Sequence, residues 1–235
     1  MTIHRLDVTD STNIAARAGR PGDVFTAERQ LAGRGRLDHT WHSAPGANLT
    51  FSVVLAASER PPEEVATVPL VVGLATLKAL AVLLPREVKA ALKWPNDVLA
   101  DGRKIAGILC ERHGDNIIAG VGVNVNETDF PAEIATRATS LAALAGRQFD
   151  RDDVLERLIA SIEHWRNRWF SDGFAALHGE FAPFDWLKGR VVSVWQTDSD
   201  PAPLKGICGG IAPDGTLDIG GTRVYAGEAH VETGA

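Results

Sequence analysis

Residues 89–126 constrain the fold most, because strand-like segments follow one another there with only short turns between them. The segments are "VKAALKW", "DVLADGRKIAGILCER" and "NIIAGVGVNVN". Asp101-Gly102 within the second segment and "HGDN" before the third are typical of β-hairpin turns. Strands joined by such short turns pair antiparallel, since a parallel pair needs a long crossover. This region therefore predicts a mainly antiparallel sheet.

Helical patterns flank this region on both sides. "DSTN" at residues 10–13 predicts an N-cap before a short helix closed by Gly19, and the strands "DVFTAE" and "ANLTFSVVL" follow it. Residues 63–84 predict a buried helix introduced by two prolines. Apolar residues at helical spacing from 154 to 169 predict a second, long amphipathic helix. The fold class is α+β, with helices packed on a mainly antiparallel sheet.

The composition changes beyond Pro183. "KGRVVSVWQ", "PLKGICGGI", "GTLDIGG" and "TRVYAGEAHVE" predict short strands separated by Gly, Asp and Pro turns. A small β-barrel of about fifty residues fits this pattern. We expect two domains, residues 1–184 and 185–235.

Charge and cysteine content narrow the functional classes. The net charge of −6 over 235 residues disfavours general affinity for a polyanion such as DNA. Cys110 and Cys208 lie far apart in apolar segments, which favours buried free thiols over a disulfide or metal ligands. The charged N-terminus lacks the apolar core of a signal peptide, and polar residues interrupt the apolar stretch 65–84. We expect a cytoplasmic chain that does not span a membrane.

The segment "GRGR" at residues 33–36 has the composition of an anion-binding loop. Glycine lets backbone N–H groups approach an oxyanion, and arginine supplies a forked, permanently charged donor. The segment lacks the spacing of a Walker phosphate-binding loop. The alternative is a solvated surface loop.

Two further segments carry polar groups suited to a ligand. "LKWPNDVLADGRKIAGIL" places Lys93 and Lys104 on either side of a hairpin whose first strand is interrupted by Pro95. "GVGVNVN" removes side chains from one face of a strand, which leaves room for a flat ligand or another backbone, and Asn124 offers donors and acceptors to a purine edge or a phosphate. A solvated hairpin and a Gly-rich packing strand are the respective alternatives.

Taken together, the three segments and "DSTN" resemble the catalytic domain of biotin–protein ligases. That family carries a G-R-G-R-x-G-R loop, a K-W-P-N-D segment with a lysine further on before G-I-L, and a G-x-x-N-x-N strand. The resemblance runs from about Asp7 to the C-terminus, where the final β-module resembles the SH3-like barrel of these ligases. It implies a class II synthetase-like α+β domain followed by that barrel.

The resemblance implies two half-reactions. Biotin and ATP form biotinyl-5′-AMP and pyrophosphate, and a lysine of a biotin carboxyl carrier protein then accepts the biotinyl group. Lys104 would bridge the biotin carboxylate and the α-phosphate, Arg34 and Arg36 would close over the phosphates, and Asp97 would accept a proton from the incoming lysine. Alternatively, Asp97 only orients Arg36 or caps the turn. ATP would bring Mg²⁺, whose protein ligands the sequence does not identify.

The remaining binding residues also follow from the matched motifs. Ser11, Thr12 and Gln30 would contact the ureido ring, Gly33 and Gly35 would let the loop backbone approach the phosphates, and Trp41 would lie against the ligand unless it is a core tryptophan. The other implied contacts to biotin or nucleotide are Asn13, Lys93, Asn96, Gly107, Ile108 and Asn124.

The sequence departs from the family pattern at Asp38 and His39, where the family has glycine and arginine, so a third loop cation is present only if His39 is protonated. Because "DSTN" begins at residue 10, we expect no DNA-binding domain and no DNA partner. Exposed strand edges offer a surface through which two chains could pair into a homodimer, and the sequence does not identify the edge. The rival functions are a lipoate or octanoyl–protein ligase of the same superfamily and a non-catalytic biotin-binding regulator.

Overall fold

A computed structural model describes residues 1–37, 39–56, 60–196 and 202–232. Its main feature is a seven-stranded sheet in the order β1-β2-β3-β7-β6-β5-β4. The strands are β1 (Ile3–Thr9), β2 (Val24–Gln30), β3 (Leu49–Ala56), β4 (Ala90–Lys93), β5 (Asp97–Ala100), β6 (Arg103–His113) and β7 (Asn116–Val123). Asp38, one of the two family departures, lies outside the described residues.

The sheet is mainly antiparallel, as the sequence predicts. The hairpins β4-β5, β5-β6 and β6-β7 all pair antiparallel, and the turn residues Asp101 and Gly102 both have positive φ, as a type I′ turn requires. The exception is β1, which pairs parallel with β2. β1 was not predicted as a strand, because in "IHRLDVT" the adjacent His4 and Arg5 interrupt the alternation of apolar and polar residues and leave only a four-residue run, Leu6 to Thr9.

The helix predicted at residues 63–84 is wrong as a single element. The structure has two helices there, α2 (Pro62–Val65) and α3 (Val68–Ala81). Pro69 explains the break, because a proline has no N–H to donate and its ring clashes with the carbonyl four residues earlier. Residues 62–81 are long and apolar enough for a membrane span by length and composition, but 67 % of this apolar stretch is buried inside the fold. The core therefore accounts for their apolar character.

The short helix after "DSTN" also differs from its prediction. It is α1 (Thr12–Ala16), and its N-cap residue Ser11 makes no side-chain capping bond. Gly19 does not close the helix; a Cβ there would lie 2.6 Å from the Phe25 ring, so its bare backbone serves packing. Asp10 is exposed, whereas Ser11, Thr12 and Asn13 are buried, and the side chains of Thr12 and Asn13 bond to residues outside the helix.

Three more helices complete the fold: α4 (Leu141–Ala145), α5 (Arg151–Asp172) and α6 (Phe174–Leu177). The long amphipathic helix is confirmed as α5, and the Asp150 carboxylate caps it by accepting from two backbone N–H groups. α3 and α5 pack against each other, and the indole N–H of Trp169 donates to Thr67 Oγ1 at 3.0 Å. The apolar core lies among these helices and one face of the sheet.

The C-terminal strands form a second sheet in the order β11-β10-β9-β8-β12. They are β8 (Val191–Trp195), β9 (Leu204–Ile211), β10 (Leu217–Ile219), β11 (Thr222–Val224) and β12 (Glu228–Val231). The segment "TRVYAGEAHVE" therefore holds two strands, with Gly227 between them at a φ of 134°. Within the described ranges β11 and β12 are not paired, so the sheet is open where a closed barrel was expected. Its buried residues join the main core, and the division at residues 184 and 185 stays a prediction.

Candidate active site

The predicted site residues converge on one cavity of about 530 Å³. Gly33 does not line this cavity but lies within the loop that covers it. All the other predicted residues line it: Ser11, Thr12, Asn13, Gln30, Arg34, Gly35, Arg36, Trp41, Lys93, Asn96, Asp97, Lys104, Gly107, Ile108 and Asn124. Segments that are about a hundred residues apart in the sequence thus line one cavity. Local sequence patterns alone do not predict such a contact.

The β5-β6 hairpin provides a charged pair in this cavity. Lys104 Nζ lies 2.6 Å from Asp97 Oδ1. The backbone of Lys104 is fixed on its other side, because its N–H donates to the carbonyl of Arg137 at 2.7 Å and its carbonyl accepts from Thr139 at 2.9 Å. The Lys104 side chain is 37 % exposed and lines the cavity, and it extends from a backbone that is bonded on both sides.

Thr12 and Asn13, the last two residues of "DSTN", form a hydrogen-bonded network beneath the cavity. Gln30 Oε1 accepts from the backbone N–H of Thr12 at 2.8 Å. Ser52, which is fully buried on β3, lies 2.8 Å from Thr12 Oγ1 and donates to Asn13 Oδ1 at 2.6 Å. Because its oxygen is occupied, the Gln30 side chain retains its NH₂ group for the cavity. Sequence reasoning missed Ser52, since a serine in an apolar strand carries no local signal.

Glu111 extends this network to the arginine loop. Asn13 Nδ2 donates to Glu111 Oε2 at 2.7 Å and to the carbonyl of Leu109 at 3.2 Å. Glu111 Oε1 accepts from Arg34 Nη1 at 2.9 Å. Sequence reasoning also missed Glu111, whose partners lie 77 and 98 residues away.

The "GRGR" segment is not an unsupported loop. It forms a small hairpin in which Arg34 bridges to Thr40, Gly35 N–H donates to His39 at 2.7 Å and Trp41 N–H donates to Gly33 at 3.0 Å. A Cβ on Gly33 would lie 2.7 Å from the Trp41 carbonyl, so glycine is required where the two arms meet. His39 lines the cavity.

The glycine face predicted for "GVGVNVN" is filled by the protein's own side chains. A Cβ on Gly122 would lie 2.3 Å from the Trp41 indole, and one on Gly120 would lie 2.2 Å from Asn13 Oδ1. The Trp41 ring lies 5.6 Å from Lys104 Nζ, close to Gly107. Trp41 therefore belongs to the cavity and not to the apolar core.

The C-terminal sheet closes one side of the cavity. Arg36 Nη1 donates to the Gly227 carbonyl at 3.2 Å, and Glu228 to Val231 contribute to the lining. Burial lowers the pKa of the Arg36 guanidinium, whereas the charges of Asp97 and Glu228 act in the opposite direction. An arginine stays protonated under such a shift, so Arg36 is a partly desolvated cation beside two carboxylates.

A second carboxylate anchors the far end of the loop. Glu127 is 6 % exposed, and its oxygens contact His42 Nε2 at 2.8 Å, the Asn48 side-chain amide and the N–H of Ala44 at 3.4 Å. Asn48 Oδ1 in turn accepts from Val125 N–H at 3.0 Å. The loop therefore leaves and rejoins the sheet through polar contacts that sequence reasoning did not find.

The two predicted nucleotide-binding asparagines use their amides within the protein. Asn96 Nδ2 donates to Ile108 O at 2.8 Å, and Asn124 Nδ2 donates to Thr139 O at 3.0 Å. Their donors stabilise the strand ends that line the cavity. The expectation that the Asn124 amide donates to a ligand is not supported by this geometry.

The described residues offer neither a cluster of metal ligands nor a reactive thiol. Over the described ranges, no group of three or more His, Cys, Asp or Glu side chains could hold a metal ion. Both cysteines are free, and burial raises the pKa of Cys110 to about 12 and that of Cys208 to about 11. Such thiols stay protonated at neutral pH and do not act as nucleophiles.

Known proteins share both the sequence and the fold. The model of the biotin/lipoate A/B protein ligase family matches residues 5–126, about half of the chain. The biotin–[acetyl-CoA-carboxylase] ligase of Mycobacterium tuberculosis is 40 % identical over 179 residues, covering 69 % of this chain and 66 % of that protein. The bifunctional ligase/repressor BirA of Bacillus subtilis is 33 % identical over 187 residues, covering 73 % of this chain and 55 % of that protein.

The fold comparison covers the whole length. The biotin protein ligase of Aquifex aeolicus, solved with biotin and ATP, superimposes with a TM-score of 0.86 at 29 % identity and covers 99 % of each chain. The two curated relatives above are longer, so this chain spans between about half and two thirds of them. From these matches, the chain belongs to the biotin/lipoate A/B protein ligase family.

Proposed function

We propose that this chain is an ATP-dependent biotin–protein ligase, which forms biotinyl-5′-AMP and transfers biotin to a lysine of a biotin carboxyl carrier protein. One observation carries the proposal. Lys104 on the hairpin and Arg34 and Arg36 on the loop line the same cavity. Three cations around one cavity suit a reaction that brings a carboxylate and a triphosphate together.

In the first half-reaction, a biotin carboxylate oxygen attacks the α-phosphorus of ATP and pyrophosphate leaves. Lys104 would contact both anions and reduce their repulsion, since the hairpin fixes its backbone and Asp97 holds its ammonium at the cavity. Arg34 and Arg36 would stabilise the charge on the phosphate oxygens, with Gly35 allowing the backbone to approach.

The biotin ring would lie over the glycine face. Ser11, Thr12 and Gln30 offer hydroxyl and amide groups to a neutral ureido ring. The Trp41 indole N–H is buried and has no hydrogen-bond partner among the described residues, so it is available to a ligand. Trp41 would move or stack as the ring enters, because it now covers Gly122.

The nucleotide would occupy the side lined by Lys93, Asn96, Gly107, Ile108 and Asn124. Mg²⁺ would arrive with ATP and screen the pyrophosphate charge. Asp97 is a carboxylate of this cavity, but the described residues offer no cage of several ligands, which fits a metal held mainly by phosphates and water.

In the second half-reaction, the carrier lysine attacks the carbonyl carbon of the mixed anhydride and AMP leaves. The amine must lose a proton, and Asp97 is the candidate base. Its contact with Lys104 adds a second possibility, that Asp97 positions Lys104. Asp97→Asn distinguishes them: slower transfer with normal adenylation indicates the base, whereas loss of adenylation indicates positioning.

The family also contains lipoate ligases, so the acyl substrate needs its own test. "GRGR" and "KWPND" favour biotin over a flexible acyl chain. A thermal-shift assay with biotin and with lipoate separates the two, since only the true ligand stabilises the native state. Stabilisation by biotin without any product would favour the non-catalytic regulator.

The decisive assay incubates the protein with labelled biotin and a purified carrier domain, with and without ATP. We expect ATP-dependent, covalent labelling of the carrier. No labelling with active carrier and ATP would contradict the proposal. We also retain as proposals the SH3-like character of the C-terminal sheet, a cytoplasmic location and a homodimer.

A further inference from the structure

We propose that Glu111 is a positioning residue that holds Arg34 in place before any ligand binds, so that the loop meets the ligand already ordered. The inference deepens the proposed function, because Arg34 is one of the cations assigned to the phosphates. Glu111 itself does not line the cavity. It would therefore act only through the residues that it contacts.

One carboxylate oxygen of Glu111 contacts the loop, and the other contacts α1. Oε1 accepts from Arg34 at 2.9 Å and lies 3.6 Å from Arg17 Nη2, whereas Oε2 accepts from Asn13 at 2.7 Å. Since Asn13 also donates to the Leu109 carbonyl and accepts from Ser52, the amide orientation is fixed. The carboxylate is thus held by the sheet and α1, and only Arg34 belongs to the loop.

This arrangement links the two halves of the cavity. A continuous series of hydrogen bonds runs from Gln30 through Thr12, Ser52 and Asn13 to Glu111, and from there to Arg34. The residues proposed for the ureido ring and a cation proposed for the phosphates are therefore parts of one network. Such networks couple their members more strongly than isolated surface pairs.

Only one guanidinium nitrogen of Arg34 is bonded to Glu111. An arginine has five N–H donors, so the others remain available to an anion in the cavity. Glu111 thus orders the side chain without using its whole donor set. Binding is favoured when groups are ordered in advance, because the ligand does not have to supply that ordering free energy.

The first test follows the loop without any ligand. Trypsin cleaves after arginine, so mass spectrometry of early fragments reports cleavage at Arg34 and Arg36. Glu111→Gln turns an N–H₂ group towards Arg34 while its oxygen still serves Asn13, and we expect cleavage at Arg36 to accelerate about fivefold. Glu180→Gln is the matched control, because Glu180 also contacts two cations, at 3.2 and 3.7 Å, far from the cavity lining.

A double-mutant cycle separates anchoring from general loosening. Arg34→Met alone should also accelerate cleavage at Arg36, and adding Glu111→Gln should accelerate it no further. An unchanged rate in Glu111→Gln, or additive effects in the double variant, overturns the proposal. If Glu111→Gln does not fold, Arg34→Met must still accelerate cleavage while Arg17→Met leaves it unchanged, and any other pattern overturns the proposal.

The second test measures binding by calorimetry with ATP and biotin together. We expect Glu111→Gln to weaken binding about tenfold, which corresponds to about 1.4 kcal/mol, with unchanged affinity in Glu180→Gln. Tighter binding would overturn the proposal, since it would mean that Glu111 competes with the ligand for Arg34. A wild-type protein that does not bind biotin would instead refute the proposed function, and the proteolysis test would still decide the role of Glu111.

Discussion

The two walls of the cavity are built in different ways. The hairpin wall carries Lys104 and Asp97 on paired strands whose backbone hydrogen bonds continue across the sheet. The loop wall, residues 31–37 and 39–48, carries Arg34, Arg36 and Trp41. Its two ends are bonded to the rest of the fold through the backbone, and between them it is attached through a few side chains. A substitution in the hairpin should therefore change the reaction rate while the hairpin backbone keeps its position. A substitution in a loop anchor should instead change the position of the loop.

The contrast has a functional meaning. Under the proposed function Lys104 would lie between two anions at a defined place, and a strand residue with both backbone groups bonded suits that role. The loop must admit a ligand and then cover it, so it is attached by contacts that can break and re-form. The following predictions test whether the walls differ in this way.

The largest effect is expected for Lys104→Ala. Loss of the ammonium should reduce biotin-dependent pyrophosphate release about 10³-fold, because one charged donor is removed from the reacting phosphate. The melting temperature should change little. Lys205→Ala is the control, since Lys205 pairs with Glu232 at the same 2.6 Å distance but away from the cavity lining. Near-normal release in Lys104→Ala would show that the hairpin wall lacks the role assigned to it.

A smaller effect is expected for Glu127→Gln, which weakens the second loop anchor. Glu127 is buried and contacts His42, Ala44 and Asn48, so the change should destabilise the fold by about 1–3 kcal/mol. Urea denaturation measures this. Glu28→Gln removes an exposed partner of Arg151 and should cost less than about 0.5 kcal/mol. Equal losses in both variants would remove the anchoring role.

Gly122→Ala tests which wall yields to a clash. The new methyl group would collide with Trp41, and we expect the loop to move while β7 keeps its place. Stability should fall by less than about 1 kcal/mol, with faster tryptic cleavage in the loop. Gly179→Ala is the control, because nothing lies within 4 Å of a Cβ there. A large loss of stability with unchanged cleavage would mean that the loop is as rigid as the sheet.

The smallest effect concerns the thiols, one of which lies on the hairpin strand β6. Burial raises the pKa of Cys110 to about 12 and that of Cys208 to about 11, above the ordinary value of 9.0. At pH 8 the native protein should react slowly with a thiol reagent such as dithiobis(nitrobenzoate), and both thiols should react at once in guanidinium. Above pH 9 the unfolded state loses its thiol protons first, so stability should fall as the pH rises. Fast reaction of the native protein at pH 8 would show that the strands carrying the cysteines expose their thiols to solvent.

The sequence predicted the hairpin wall better than the loop wall. Turn residues such as Asp101-Gly102 and the apolar strands are local signals, so the antiparallel sheet follows from them. β1 was missed because its alternating run is only four residues long and gives a weak local signal. The break before α3 was missed although Pro69 marks it. The "DSTN" motif was found, but its burial in a network with Ser52 depends on a contact across 39 residues.

The loop anchors show where sequence reasoning ends. Glu111, Glu127 and the carbonyl of Gly227 are ordinary groups, and only the fold brings them to the loop. The contact of Arg36 with Gly227 spans 191 residues. Motif matching identifies the residues that line the cavity, whereas the residues that anchor the loop are identified only from the three-dimensional structure.

The central claim is that the hairpin cation and the loop cations act on one anionic centre. A crystal structure with a non-hydrolysable biotinyl-adenylate analogue tests it most directly. We predict that Lys104 Nζ and the guanidinium groups of Arg34 and Arg36 all lie within hydrogen-bonding distance, about 3.2 Å, of the oxygens that join biotin to the adenylate. An analogue bound in the cavity with Lys104 and the two arginines on separate surfaces would contradict the account.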